Sequence, residues 1–166
     1  MKDDLKVKLP RMGIGFDAHD FSEGGHLKLG GVTFDDLPAL KGHSDGDSLI
    51  HALIDALLGA AGLGDIGELF PDTSAAMKGI SSVLMLEKTI NLLKENDFLP
   101  YNIDVTVVAD KPRLKDFKKM MEKFLADKVG LHPQSVNIKA KTSEGTRLLT
   151  EKGGIAAWAV ATVISK

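Results

Sequence analysis

The sequence predicts one α/β (α+β) domain in which a mixed sheet of four to five strands carries helices on one face. Three observations predict it. Runs enriched in β-branched residues alternate along the chain with amphipathic stretches of helical length, the pattern of a layered α/β architecture. The last run, Ile155–Ile164, is apolar enough for a strand buried on both faces. At 166 residues the natural count is one domain, long enough to bury a sizeable core.

Residues 1–10 read as a short disordered extension, with neither an apolar signal core nor the acid-poor, Ser/Arg-rich character of a transit peptide. The domain is expected over residues 11–166. Residues 11–18 form a strand that runs into Asp17-Ala18-His19. Residues 27–34 (LKLGGVTF) form a second strand, broken by a Gly-Gly bulge or turn. After a polar segment, a helix is expected from about Asp47, as N-cap, to Gly62. Its apolar residues (Leu49, Ile50, Leu53, Ile54, Leu57, Leu58) lie nearly all round, which argues for burial. Residues 65–79 are a long turn-rich loop packed down by Leu69 and Phe70; loops of this length are usually functional or disordered. Residues 81–96 form an amphipathic helix and residues 101–109 a strand ended by Lys111-Pro112. Residues 115–129 form a basic amphipathic helix, and strands follow at 135–143 and 155–164.

A formal net charge of -2 gives no global reason to expect nucleic acid or an anionic membrane as partner. No apolar run approaches the ~20 residues of a membrane span. The chain has no cysteine, which excludes disulfides and thiolate metal sites and fits a reducing, cytoplasmic setting.

The candidate chemistry begins with Asp17, His19 and His51. An Asp-x-His pair puts both side chains on one face of a strand, and His51 would reach them from the first turns of the following helix. One carboxylate and two imidazoles suit Zn²⁺ with its fourth position open, the arrangement of a metal that touches substrate. Each part alone reads more readily as a cap or a satisfied polar group; the dense polar cluster from His43 through Asp45 and Asp47 to His51 favours the metal. His43 and Ser44 lie in a Gly-flanked turn whose backbone N–H groups can form an anion site. Asp65, Ile66 and Gly67, with Phe70, Pro71, Asp72 and Thr73, make up the long loop, and Lys78 at its end could meet a phosphate. The turn carrying Ala109, Pro112, Arg113 and Leu114 follows a strand, a common ligand position in α/β folds. Lys141, Thr142, Ser143 and Glu144 end another strand and offer oxygens for a hard cation. His26 and His132 are given no role.

These segments, in this order, resemble the 2-C-methyl-D-erythritol 2,4-cyclodiphosphate synthase family of non-mevalonate isoprenoid biosynthesis. The resemblance rests on RMGIGFDAHDF, LKLGGV, HSDGDSLIHALIDALLGAAGLGDIGELFPDT, MKG, DVTVVADKPRL, VNIKAKTSE and GGIAAWAVATVI. It implies a homotrimer with active sites between subunits and a metal-dependent lyase. The 2-phosphate of 4-diphosphocytidyl-2-C-methyl-D-erythritol 2-phosphate attacks the β-phosphorus of its own diphosphate, and CMP leaves. The resemblance places Zn²⁺ on Asp17, His19 and His51, and Mg²⁺ or Mn²⁺ at Glu144. It puts the diphosphate at His43 and Ser44, and the erythritol and its phosphate at Asp65, Ile66, Gly67 and the Phe70–Thr73 loop. Ala109, Pro112, Arg113, Leu114 and Ala140 match the cytidine pocket, and Thr142 a phosphate contact. The chain departs from the family in its last third. Lys141 and Ser143 replace two threonines, and Glu151 stands where an arginine usually lines the trimer's central cavity, so no isoprenoid diphosphate is expected there.

The nucleophile is already a phosphate oxyanion, so the absence of an acid–base dyad is expected. Two other readings compete. A zinc-dependent phosphohydrolase would need a base for metal-bound water, with only Asp45, Asp47 or Asp65 available. A non-catalytic phosphate-binding trimer would have no reason to keep every proposed metal and phosphate residue.

Overall fold

The computed structural model describes residues 9–42, 44–71, 79–145 and 153–166. The extension expected over residues 1–10 therefore falls, up to residue 8, outside the described residues.

Among the described residues the strands and α-helices follow in the order β1 (Arg11–Asp20), β2 (Leu27–Leu29), β3 (Val32–Phe34), α1 (Ser48–Ala61), α2 (Ile66–Leu69), α3 (Ser82–Glu95), β4 (Phe98–Ala109), α4 (Lys118–Val129), β5 (Val136–Lys141) and β6 (Gly154–Ser165). The main sheet has four strands in the order β1-β6-β4-β5. Only β4 and β5 are parallel; β6 runs antiparallel to both its neighbours. The ends of β1, β4 and β5 therefore share one edge, and His19, Ile155 and Ala109 lie in one row across it.

One expectation is resolved and one corrected. Of the bulge or turn expected within 27–34 the structure has the turn: Gly30 and Gly31 both take positive φ, at 57° and 78°, and fold the segment into the β2–β3 hairpin. Two successive positive φ angles suit a hairpin turn and cost glycine little. The loop 65–79 is not structureless throughout. Asp65 accepts the Glu68 N–H at 2.9 Å and caps one helical turn, α2.

The helix α1 is buried on every side except at Asp55 and Gly59, as its all-round apolar pattern requires. Asp47 caps it by accepting the Ile50 N–H at 3.1 Å, and Gly62 ends it in the left-handed conformation. The same Asp47 carboxylate accepts from Gly30 N at 2.9 Å and Gly31 N at 3.0 Å, so one buried group fastens the hairpin turn to the helix start. Burial pushes its carboxyl up, and those three N–H groups oppose the shift.

What sets α1 against β1 is the absence of side chains. A Cβ on Gly13 would lie 2.2 Å from the Ala56 carbonyl oxygen, and one on Gly15 2.0 Å from that of Ala52. Gly13, Gly15, Asp17 and His19 alternate along β1 onto the face that α1 covers, and Ala52, Ala56 and Ala60 supply the matching small stripe on the helix. The helix backbone comes down onto the strand, carrying His51 with it.

Among the described residues, no helix covers the opposite face of the sheet. On β1 it exposes Met12 (71%), Ile14 (70%) and Phe16 (51%), and Phe16 meets half-buried Trp158 of β6 with ring centroids 4.8 Å apart. The strand β6 is thus buried on its helix face and only half-buried on the other, short of the two-sided burial its composition suggested. On the β4–β5 half the same face is polar, where Asp104 accepts from Asn137 at 2.7 Å and from Lys139 at 2.5 Å.

Candidate metal centre and substrate site

Asp17 and His19 project from the end of β1 and His51 from the first turn of α1, and the three converge. Asp17 Oδ2 lies 3.0 Å from His19 Nε2 and 3.5 Å from His51 Nδ1, and the two ring nitrogens are 3.4 Å apart. Tetrahedral geometry with zinc–ligand bonds of 2.0–2.1 Å demands ligand atoms about 3.3 Å from one another. The triangle has that size. Asp17 Oδ2 is also buried and faces only the two imidazoles, neither of them in well-formed hydrogen-bond geometry, an acceptor that a cation would satisfy. These three are the group of His, Asp and Glu side chains suited to a metal among the described residues.

The electrostatics fit a cation site. Burial alone would push the Asp17 carboxyl up, but the imidazoles of His19 and His51 outweigh it and hold the group below its ordinary range. Asp17 raises the His19 imidazole, with the Lys41 backbone acting in the same sense against burial. A bound cation would replace those protons.

Around the triangle the structure places Ser44 Oγ 2.9 Å from His51 Nε2, on the side of the ring away from Asp17. Ser82, at the start of α3, lies at the same 2.9 Å from Nε2. One helical turn beyond His51, Asp55 accepts the Ile66 N–H at 2.8 Å and ties α2 to α1. Burial pushes the Asp55 carboxyl up; the Ile66 N–H opposes this, while Asp65 and Asp17 add to it. Asp65, Ile66 and Gly67 are thereby brought beside the helix face that carries His51. Phe70 is buried and Pro71 exposed. His43, Asp72, Thr73, Lys78 and Glu151 lie outside the described residues.

The second group of expected residues gathers elsewhere on the same sheet edge. Ala109 and Leu114 are buried, and Pro112 and Arg113 line an open groove of about 570 Å³ with Thr33–Leu37 of the hairpin and Phe117. Asp110 joins the turn after β4 to the end of β5, accepting from Ser143 N at 2.8 Å and Ser143 Oγ at 2.7 Å; these bonds hold its carboxyl below the ordinary range. Ala140 and Lys141 end β5. Thr142 Oγ1 donates to Glu144 Oε1, and Glu144 adopts a φ of 51°. Three strand spacings, about 14 Å, separate β1 from β5, so one chain does not bring Glu144 to its own Asp17–His19–His51 triangle. His26 sits in an exposed turn with Nδ1 3.1 Å from the Asp35 carbonyl, and His132 accepts the Gln134 N–H, so both are accounted for locally.

Sequence reasoning missed Ser82 and Asp55. Ser82 stands in a Ser-Ser pair before an amphipathic helix, which reads as a cap. Asp55 is the one carboxylate inside an apolar helix, and its i+4 spacing from His51 was the available signal.

Residues 10–164 match the YgbB family model. The chain belongs to the YgbB family. Among curated relatives, the 2-C-methyl-D-erythritol 2,4-cyclodiphosphate synthase of Gemmatimonas aurantiaca is 44% identical over 157 residues, covering 95% of both chains. That of Desulfosudis oleivorans is 47% identical over 156 residues, covering 94% of this chain and 93% of its own. Of solved structures, a CDP-bound 2C-methyl-D-erythritol-2,4-cyclodiphosphate synthase superposes with a TM-score of 0.82 at 34% identity, over 92% of this chain and 99% of that one. The bifunctional IspDF from Campylobacter jejuni reaches a TM-score of 0.90 at 41% identity; the match covers 96% of this chain and 43% of that one. The YgbB family match thus spans nearly the whole chain.

Proposed function

We infer that the chain converts 4-diphosphocytidyl-2-C-methyl-D-erythritol 2-phosphate into 2-C-methyl-D-erythritol 2,4-cyclodiphosphate and CMP. It is a lyase of non-mevalonate isoprenoid precursor synthesis. Family membership and relatives 44% and 47% identical support this reading. The observation that carries it is the triangle of Asp17, His19 and His51, sized for a tetrahedral ion.

In the reaction a 2-phosphate oxygen forms a bond to the β-phosphorus while the bond from that phosphorus to the CMP oxygen breaks. No proton need be removed from the nucleophile. The protein must bend the substrate until its ends meet and spread the charge of the transferring group. Zn²⁺ at the triangle, with Mg²⁺ or Mn²⁺ at Glu144, supplies Lewis-acid stabilisation of the phosphate oxygens when bound. In this reading the turn at His43 and Ser44 holds the diphosphate, with Thr142 and Lys141 beside it. Asp65, Ile66, Gly67, Phe70 and Pro71, continuing through Asp72, Thr73 and Lys78, hold the erythritol 2-phosphate. Ala109, Pro112, Arg113, Leu114 and Ala140 hold the cytidine. The solved relative named as a CDP-bound form supports a cytidine diphosphate ligand.

The hydrolase reading loses its base. Asp45 is held by Ser82, Asp47 is buried under three N–H donors, and Asp65 caps α2. Each of the three thus has a structural partner, and none is fixed beside the triangle as a general base would need to be.

A homotrimer with active sites between subunits belongs to the same proposal, and two features support it. The bare face of the sheet exposes Met12, Ile14 and Phe16 in one row, the kind of contiguous apolar surface that marks a protein–protein contact. Paired phosphoryl-transfer metals lie about 3.5–4 Å apart, whereas β1 and β5 of one chain are about 14 Å apart, which supports a site completed by a neighbouring copy. A cytoplasmic setting, without nucleic-acid or membrane partners, completes the reading. Among the described residues, no helix is long and apolar enough to cross a membrane.

The test is CMP release from the diphosphocytidyl substrate, with light scattering on the same sample. Turnover with a mass near three times 17.8 kDa is expected. Phe16→Glu, placed in the bare apolar face, should dissociate the assembly and abolish turnover. Full turnover by an 18 kDa monomer, or release of inorganic phosphate in place of CMP, would overturn the reading.

A further inference from the structure

A metal-binding imidazole must present a bare nitrogen, so its other nitrogen must carry the proton. For His51 the surroundings of the outer nitrogen decide this. Asp45 Oδ1 accepts from Ser82 N at 3.1 Å and also takes the proton of the Ser82 hydroxyl. A carboxylate has only acceptors to offer, so the hydroxyl proton is committed to it. The Ser82 oxygen is left with lone pairs, and it lies 2.9 Å from His51 Nε2. Such an oxygen fits an Nε2–H and repels a bare Nε2. Ser44 Oγ, also 2.9 Å from Nε2, places a second oxygen beside the same proton. Asp45 is itself fixed by Lys28 of the hairpin, 3.5 Å from its Oδ2. Ser82 is fully buried and opens α3, so the chain of contacts is rigid.

We propose that Ser82 and Asp45 are positioning residues that hold His51 as its Nε2–H tautomer, so that Nδ1 faces Asp17 and His19 with its lone pair free. The proposal rests on the zinc reading of the triangle. Ser82 is closed off from solvent, so the two act through the imidazole. Partners of this kind behind a metal-bound histidine fix its tautomer and orientation and raise its basicity.

The experiment measures the tautomer directly in the zinc-free protein, through long-range proton–nitrogen correlation of ¹⁵N-labelled histidine, and zinc affinity separately by chelator competition. Wild-type His51 should be almost wholly Nε2–H. Ser82→Ala should populate both tautomers and weaken zinc by about 10- to 100-fold. Its fold should persist, because the residue 82 N–H still reaches Asp45. Asp45→Ala keeps the hydroxyl but frees its proton to turn toward the ring, so it should shift the tautomer in the same direction; it carries the test if Ser82→Ala unfolds. The proposal is overturned if both variants keep the Nε2–H tautomer and bind zinc within twofold of wild type. A wild-type protein that binds no zinc overturns the metal reading instead, and the tautomer measurement then still decides the relay.

Discussion

Gly15→Ala tests the packing that builds the metal site. The new Cβ would lie 2.0 Å from the Ala52 carbonyl oxygen and 2.7 Å from Ala56 N, where ordinary contact begins at 3.4 Å. Both neighbours are helix backbone and cannot rotate aside, so α1 must retreat from β1 by roughly 1.4 Å in a core packed without slack. Overpacking of this kind costs about 1–3 kcal/mol. At this chain length each kcal/mol lowers Tm by about 2–4 °C, so a fall of about 2–12 °C is expected at fixed subunit concentration. The effect on the site is larger than the effect on the fold. His51 moves with α1 while Asp17 and His19 stay on β1, and metal–ligand distances tolerate only about 0.2 Å. Zinc should bind more than tenfold more weakly, and turnover should fall about 100-fold, the usual consequence of a misplacement of about 1 Å. Chelator competition, thermal unfolding and CMP release measure the three effects. A variant with wild-type zinc affinity and a Tm within about 1 °C would refute the claim that close backbone approach sets the triangle.

Two further predictions concern the same corner of the molecule. Asp47→Ala removes a helix cap, worth about 1 kcal/mol, and strands the Gly30 and Gly31 N–H groups at about 1–3 kcal/mol each; denaturant unfolding should show a loss of about 3 kcal/mol or more, and a loss under 1 kcal/mol would contradict the fastening role. For pH, His19 is raised above its ordinary 6.5 by Asp17, so in the zinc-free protein its contribution to stability is complete below pH 6.5 and lost as pH rises through the raised value. Asp17, buried yet held below 3.8 by the imidazoles, contributes above pH 3.8 and loses it as pH falls through the lowered value. Zinc needs both groups deprotonated, so the Tm gained on adding zinc should grow between about pH 6 and pH 8; an equal gain at both would count against the assignment.

The elements that carry strong periodicity were legible in the sequence. The all-round apolar pattern of residues 49–58 marked a buried helix, and Asp47 marked its start. The pair Asp17 and His19 was legible because a strand alternates with period two, and His51 because it opens the helix that follows. The hairpin at Gly30-Gly31 was not, since a bulge and a turn share the same two glycines and only φ distinguishes them. α2 was hidden because four residues give no period to detect. Ser82 was hidden for a different reason: its partners, Asp45 and His51, are 37 and 31 residues away, and nothing local distinguishes a serine that caps a helix from one that turns toward a neighbouring ring.

The order Gly13, Gly15, Asp17, His19 on one face of β1 has a consequence for folding. The residues that admit the helix and those that hold the ion share one parity of the strand. If β1 paired with β6 one residue out of register, all four would turn outward, and Met12, Ile14 and Phe16 would press into α1. Such a chain could still form a sheet of ordinary strands, but it would have no triangle to load. On the zinc reading, an ion at the triangle would stabilise the correctly paired chain alone and draw the population of slipped pairings toward it.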